Sequence, residues 1–216
     1  MTKIVGKAHN FNIMLIVLAI YIFLLLPIVH HDKVERVLFI LFYMLMLSNG
    51  LPFLISKKLF GFIFFLTLFP IAFLTTEFFV PELWVRILID FSILSYFILL
   101  VTNLFPRAFA KGGTDRNKVQ GAVVVYLLIA LCFAIGYHLI FLYEGPNAIK
   151  GLLSYSRREF VYFSLSTLTT VGYGDVTPFS ELARSLGNME ALIGQLYPAI
   201  IIARIVSMEI NSSRSN

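Results

Sequence analysis

The sequence is poor in charged residues and in cysteine. Charged residues make up 13% of its 216 residues, whereas an average globular domain has about 25%. Its single cysteine, Cys132, excludes an internal disulfide framework and a cysteine-based zinc cluster within one chain. It has no Ser/His/Asp arrangement and no HExxH-type pattern, so we do not expect an enzyme. It has no internal repeat, which argues against a carrier built from two related halves.

What it has in abundance is apolar surface. Hydrophobic residues make up 59%, with 22 Phe, and the mean hydropathy is +0.87. A soluble core of this size cannot bury so much apolar surface, and disordered chains have low hydrophobicity instead. We therefore predict an integral membrane protein surrounded by the lipid bilayer. Its formal net charge of +5 then bears on orientation in the membrane rather than on binding to nucleic acid.

Six apolar runs are long enough to cross a bilayer, which takes about 20 residues. They predict transmembrane helices at 11–29, 37–55, 59–75, 83–105, 119–143 and about 181–208. A further apolar segment, 159–170, is too short to span and predicts a re-entrant helix. The predicted fold class is thus an all-α membrane protein with six transmembrane helices and one re-entrant helix.

A polar, glycine-containing stretch divides the chain. It predicts a four-helix domain at 1–110, a cytoplasmic linker at 111–118, a second domain at 119–208 and a short cytoplasmic tail at 209–216. If the amino terminus is cytoplasmic, the inner segments hold more Lys and Arg than the outer ones, which favours both termini inside the cell. We expect no attached cytosolic ligand-binding domain, and the short form suits a prokaryotic inner membrane.

The most informative stretch follows the re-entrant helix and reads Thr169-Thr170-Val171-Gly172-Tyr173-Gly174-Asp175. A dehydrated K⁺ needs oxygens in place of its water, and an extended strand offers a ladder of carbonyls only if they all point the same way. This requires alternating backbone handedness, which glycine permits at Gly172 and Gly174. Non-helical backbone at membrane depth persists where it lines a watery path. The carboxyl end of the short helix also favours a cation.

With this motif, the chain resembles the tetrameric potassium channel family. The resemblance extends from about Val119 to Met208 and covers an outer helix, a pore helix, a selectivity filter and an inner helix. It implies that K⁺ is coordinated by the carbonyls of Thr170, Val171, Gly172 and Tyr173, with Gly174 completing the filter. Because one chain provides one filter strand, we expect a homotetramer. We expect no cofactor beyond the permeant K⁺.

The resemblance also implies which residues support the filter. Many members of the family have two tryptophans in the pore helix, against which the ring of Tyr173 packs, whereas this chain has Tyr162 and Phe163 there. Some bacterial members have a glutamate where this chain has Ser166, so Asp175 lacks a carboxyl partner. The expected supporting residues are Thr169, Asp175, Tyr162, Phe163 and Ser166.

Four residues of the last helix are candidates for roles in gating. Gly194 fits either a hinge or a close helix contact, and Pro198 predicts a bend. Glu190 could face the cavity or form a structural hydrogen bond behind the pore helix, and its distance from the filter motif favours the second. Gln195 is the better candidate for lining the cavity.

The fourth helix decides the expectation for voltage. Voltage sensors carry about three to four mobile charges per subunit, but this helix has one, Arg86, near its outer end. Asp90 lies one turn further on, where the two charges can pair. We therefore predict a domain of voltage-sensor shape with weak or absent voltage dependence, which supports the pore or binds a lipid or another ligand.

Other interpretations stay open. The tripeptide His30-His31-Asp32 could bind a metal, but an interfacial anchor is the simpler interpretation because nothing else supplies ligands at useful spacing. The leading function is a potassium-selective pore. The alternatives are a non-selective cation channel, and a transporter or regulatory membrane subunit with a vestigial pore.

Overall fold

The computed structural model describes residues 2–29, 32–54, 83–108 and 116–213. The predicted third span at 59–75, the histidines His30 and His31, and the linker up to residue 115 lie outside the described residues.

The first half of the described chain is helical and apolar. Its elements are α1 (Thr2–Ala19), a π-helical stretch (Ile20–Leu25), the short α2 (Leu26–Ile28), α3 (Asp32–Leu54) and α4 (Leu83–Ala108). Aromatic side chains fill the space between them. Tyr21 stacks on Phe42 with ring centroids 3.9 Å apart, and the Tyr96 hydroxyl donates a hydrogen bond to the Met46 carbonyl at 2.8 Å. These contacts join α1, α3 and α4 into one packed unit.

The second half consists of two long helices on either side of a short one. Its elements are α5 (Arg116–Glu144), a 3₁₀ turn (Pro146–Ala148), β1 (Ile149–Lys150), α6 (Arg157–Leu168), β2 (Thr177–Pro178) and α7 (Glu181–Ser213). The two strands pair antiparallel, with Ile149 opposite Pro178. Helix α5 packs along α4 and against α6, and α6 packs in turn against α7.

Five of the described helices are long and apolar enough to cross a membrane. They are Phe11–Ile28, Val34–Leu54, Leu83–Ala108, Asn117–Glu144 and Glu181–Arg204. Helix α6 has 12 residues, which gives a length of about 18 Å, and the hydrocarbon core is about 30 Å thick. It is therefore too short to span the hydrocarbon core. The prediction of an all-α membrane protein is confirmed.

Two helices extend past the predicted domain boundaries. Helix α5 already begins at Arg116, inside the segment assigned to the linker, and α7 runs on to Ser213, inside the segment assigned to the tail. The apolar pattern stops earlier than the helix in both places, because polar residues such as Arg, Lys and Glu also have good helix propensity. The short β1–β2 ladder was not predicted at all.

Candidate functional site

Residues 169–175 follow α6 as a non-helical segment with alternating backbone handedness. The φ angles of Thr170, Gly172 and Gly174 are positive, at 60°, 57° and 81°. The sequence predicts this conformation for the two glycines but not for Thr170. Thr170 is the only non-glycine residue with positive φ in the described part of the chain. A β-branched residue in this region is a true outlier, and such strain costs about 1–3 kcal/mol. The alternation of backbone handedness therefore begins at Thr170, two residues before the first glycine.

Residues 169–175, which the sequence predicts to be the selectivity filter and which are called the filter segment below, are bound to the last turn of α6 through the backbone. Gly172 N donates to the Ser166 carbonyl at 3.0 Å, and Thr170 N donates to the Thr167 carbonyl at 3.0 Å. The Thr169 hydroxyl donates to the Leu165 carbonyl at 2.7 Å. The Ser166 hydroxyl donates to the Phe163 carbonyl, so Ser166 contacts the filter segment through its backbone carbonyl.

At the outer end of the filter, one tyrosine holds two residues. The Tyr162 hydroxyl donates to Asp175 Oδ2 at 2.6 Å, and its ring stacks on that of Tyr173 at 6.1 Å, with 7° between the planes. The hydrogen bond from Tyr162 lowers the pKa of Asp175 below its usual range. Phe163 does not join this stack in the chain described here. It is buried against Tyr137, with the ring centroids 4.6 Å apart.

The loop before α6 and the segment after the filter are fastened together. The Ala148 carbonyl accepts from Phe179 N at 2.9 Å and from Ser180 N at 3.1 Å, next to the β1–β2 ladder. Gly151 has a φ of 87°, and a Cβ there would collide with the Asp175 carbonyl. This close approach was missed, and its signal in the sequence is the glycine itself.

Helix α7 approaches the inner end of α6 at Gly194. A Cβ on Gly194 would collide with the Leu168 carbonyl, which also accepts a hydrogen bond from the Tyr126 hydroxyl at 3.1 Å. This geometry favours a close helix contact at Gly194. Helix α7 continues without interruption through Pro198, and Gln195 is exposed on the single chain.

Glu190 lies one turn before Gly194 and is also turned toward α6. It is fully buried, at 0% exposure. Tyr137 of α5 donates to its Oε2 at 2.7 Å, and Ser164 of α6 contacts its Oε1. Of the two placements open from the sequence, the structure has the one behind the pore helix.

The amino end of α6 is bound to the first half of the chain by its two arginines. Arg157 donates to Asp90 Oδ1 at 3.0 Å, and its guanidinium lies over the Phe39 ring at 4.4 Å. The other Asp90 oxygen contacts His138 Nδ1. Arg158 donates from its side chain to the Val29 carbonyl at 2.9 Å.

The expected pairing of Asp90 with Arg86 was therefore wrong. Asp90 is buried, at 1% exposure, and its ion pairs among the described residues are with His138 and Arg157. The reason is that spacing along one helix shows which neighbours can pair, but not which residues arrive from another helix. Arg86 is exposed and lines a polar cavity of about 320 Å³ together with Glu35 and Arg157.

Within the described residues, no group of three or more His, Cys, Asp or Glu side chains could hold a metal ion. This finding does not test the metal site considered at His30-His31-Asp32, since both histidines lie outside the described residues.

Comparison with known proteins gives one family and several relatives. The model of a family described as "Ion channel" matches residues 123–211, which include segment 169–175 and most of α5 and α7. Protein LctB of Bacillus caldotenax is 39% identical over an alignment of 114 positions, and the match covers 49% of this chain and 84% of that protein.

Two longer proteins each match about half of the chain. The voltage-gated potassium channel Kch of Escherichia coli (strain K12) is 34% identical over 116 residues, which are 53% of this chain and 24% of Kch. The potassium voltage-gated channel protein shk-1 of Caenorhabditis elegans is 37% identical over 100 residues, which are 44% of this chain and 18% of shk-1. No solved structure gives a significant match.

Proposed function

Because the chain belongs to the potassium channel family, we propose that it conducts K⁺ selectively through a filter formed by residues 170–174. The observation that carries this proposal is the alternation of positive φ at Thr170, Gly172 and Gly174. Alternating handedness turns successive carbonyls toward one side, so that they can replace the water around an ion. The proposed K⁺ ligands are the carbonyls of Thr170, Val171, Gly172 and Tyr173.

The pore is completed by further copies of the chain. One strand lines one side of an ion path, and a closed cage of carbonyls needs four strands around an axis. The exposure of Val171 and Tyr173 on the single chain, at 53% and 70%, supports this assembly, because apolar and aromatic side chains beside a filter need covering. We therefore propose a homotetramer with the filter on its axis, in which both termini of each chain are cytoplasmic.

The second part of the proposal is that opening depends weakly on voltage. Moving one charge across the membrane gains about 2.3 kcal/mol per 100 mV, so steep voltage dependence needs several mobile charges. The described α4 has Arg86 near its outer end and Arg107 in its last turn. Asp90, between them, is bound to Arg157 at the start of the pore helix. This ion pair supports a structural role for α4 beside the pore, because it would hold α4 in place and oppose its sliding.

An ion-flux assay in liposomes tests this function. Purified protein is reconstituted into liposomes loaded with K⁺ or with Na⁺, and efflux down the gradient is followed with a proton ionophore and a pH-sensitive dye. We expect rapid flux from the K⁺-loaded liposomes and little flux from the Na⁺-loaded ones. Comparable flux of both ions would indicate a non-selective cation channel. No flux of either ion would favour a transporter or a regulatory subunit with a vestigial pore, so both outcomes contradict the proposal.

A further inference from the structure

Glu190 belongs to a chain of hydrogen bonds that crosses three helices in the buried interior. Its Oε2 lies 2.7 Å from the Tyr137 hydroxyl of α5, and its Oε1 contacts the Ser164 hydroxyl of α6. The same Ser164 oxygen lies 2.7 Å from the Ala130 carbonyl of α5. Ser164 and Glu190 are both fully buried, so hydrogen bonds with bulk water cannot replace these contacts.

The number of available protons determines which group donates in each of these hydrogen bonds. A serine hydroxyl has one proton to donate, and a carbonyl oxygen only accepts. The contact between Ser164 and Ala130 therefore uses the serine proton. The second contact of Ser164, with Glu190 Oε1, then needs a proton from the carboxyl group. We propose that Glu190 is a neutral carboxylic acid that donates to Ser164 and accepts from Tyr137.

The surroundings of Glu190 agree with a neutral group. No ion pair among the described residues includes Glu190. Helix α5 presents to it the hydroxyl of Tyr137, with Tyr126 as the other titratable group nearby, and α6 presents Ser164. A buried carboxylate without a cation is strongly disfavoured, whereas a carboxylic acid with both oxygens hydrogen-bonded is well accommodated.

The neutral acid makes Glu190 a positioning residue for the filter. Ser164 lies two residues before Ser166, whose carbonyl holds Gly172 N. Glu190 of α7 therefore positions the turn of α6 that binds the filter segment, and it does so together with Tyr137 of α5. A charge on Glu190 would instead break one of the two Ser164 contacts.

Infrared spectroscopy of the reconstituted protein tests the protonation state. A neutral carboxylic acid gives a C=O stretching band that is separate from the carboxylate bands and shifts in heavy water. We expect this band in the wild-type protein at neutral pH. It should disappear in Glu190→Gln and change frequency in Ser164→Ala. Glu181→Gln, which removes an exposed carboxylate from the start of the same helix, should leave the band unchanged.

Conductance separates a neutral from a charged Glu190. The inference rests on the proposed function for this measurement only, since the infrared band does not depend on conduction. Glutamine can donate to Ser164 and accept from Tyr137, so Glu190→Gln should keep the conductance and the K⁺ over Na⁺ preference within about twofold, as at tolerated sites. Alanine cannot form these hydrogen bonds, so Glu190→Ala should either lose potassium selectivity or fail to assemble.

Two results would overturn the proposal. One is a wild-type spectrum without the carboxylic acid band at neutral pH, which needs no variant that could fail to fold. The other is a conductance that falls severalfold in Glu190→Gln, since that would mean that a negative charge on Glu190 attracts the permeant cation. If the band is present and no protein conducts, the proposed function is wrong but the protonation state of Glu190 stands.

Discussion

At the scale of single residues, the filter depends on backbone conformations that side chains oppose. Gly172 and Gly174 adopt positive φ without penalty. Thr170 adopts it with a β-branched side chain and is held there by the bond from its N–H to the Thr167 carbonyl. Strain of this kind persists only where the surroundings impose it.

The first prediction concerns the two filter glycines. Gly172→Ala and Gly174→Ala each add a methyl group at a left-handed position, which costs about 1–2 kcal/mol per residue, and the cost recurs in every subunit. Potassium selectivity in the liposome assay should be lost. The matched control is Gly145→Ala, since Gly145 has a φ of 83° and open space around its Cβ but lies outside the filter. It should remain selective. An equal loss in all three variants would contradict the account.

The second prediction concerns pH at the outer mouth. The hydrogen bond from Tyr162 lowers the pKa of Asp175, so the ionised, bonded state exists above that pKa and is lost as the pH falls through it. In Tyr162→Phe the ring stack remains but the hydrogen bond does not, so the pKa of Asp175 rises toward its ordinary value. Conductance measured against external pH should therefore fall at a less acidic pH than in the wild type. Tyr155→Phe, at an exposed tyrosine, should match the wild type, and an unshifted profile in Tyr162→Phe would count against this role.

At the scale of elements, α6 is held at each end by a different part of the chain. Its amino end is bound to α4 and to the segment after α2, through Arg157 with Asp90 and Arg158 with Val29. Its carboxyl end rests against Gly194 of α7. The first half of the chain therefore contacts the helix that carries the filter.

The third prediction concerns Asp90. Asp90→Ala leaves Arg157 and His138 without their shared carboxylate, and breaking a buried ion pair costs about 3–5 kcal/mol. Thermal unfolding of the protein in detergent should show a clear loss of stability. Arg86→Gln, at an exposed arginine of the same helix, should change stability by no more than about 0.5 kcal/mol. Similar effects of both substitutions would contradict the pairing of Asp90 with the pore helix.

The fourth prediction concerns the contact between α7 and α6. In Gly194→Ala the added methyl group meets the Leu168 carbonyl, and overpacking of this kind costs about 1–3 kcal/mol. Gly187→Ala on the same helix makes only ordinary contacts, 3.4 Å to the Tyr137 hydroxyl, and should be neutral or slightly stabilising. The measurement is again thermal unfolding. If Gly194 served only as a hinge, its substitution would alter opening and leave stability unchanged.

How much could be predicted from the sequence depends on how far apart along the chain the interacting residues lie. Segment 169–175 is a local motif between two apolar helices, so the sequence could predict its non-helical backbone and the helices on either side. The ion pairs of Asp90, and the approach of Gly151 to Asp175, join residues far apart along the chain or across a loop, and no periodic pattern marks them. Thr170 was missed as a left-handed residue because threonine rarely adopts that conformation.

At the scale of the whole molecule, the chain is a multi-pass membrane protein of the potassium channel family. The proposed ion path lies between copies, which is consistent with the exposure of Val171 and Tyr173 on the single chain. In the proposed channel, the first half of each chain would brace the pore, and the described α4 has only Arg86 and Arg107 as basic residues.

The reversal potential in a planar bilayer tests the central claim most directly. The protein is placed in a bilayer with a tenfold K⁺ gradient, and Na⁺ balances the total cation concentration on the two sides. A potassium-selective pore predicts a reversal potential close to the value for K⁺ alone, about 59 mV for a tenfold gradient of a monovalent ion. A reversal potential near zero would mean that Na⁺ passes as readily as K⁺, and it would contradict the account.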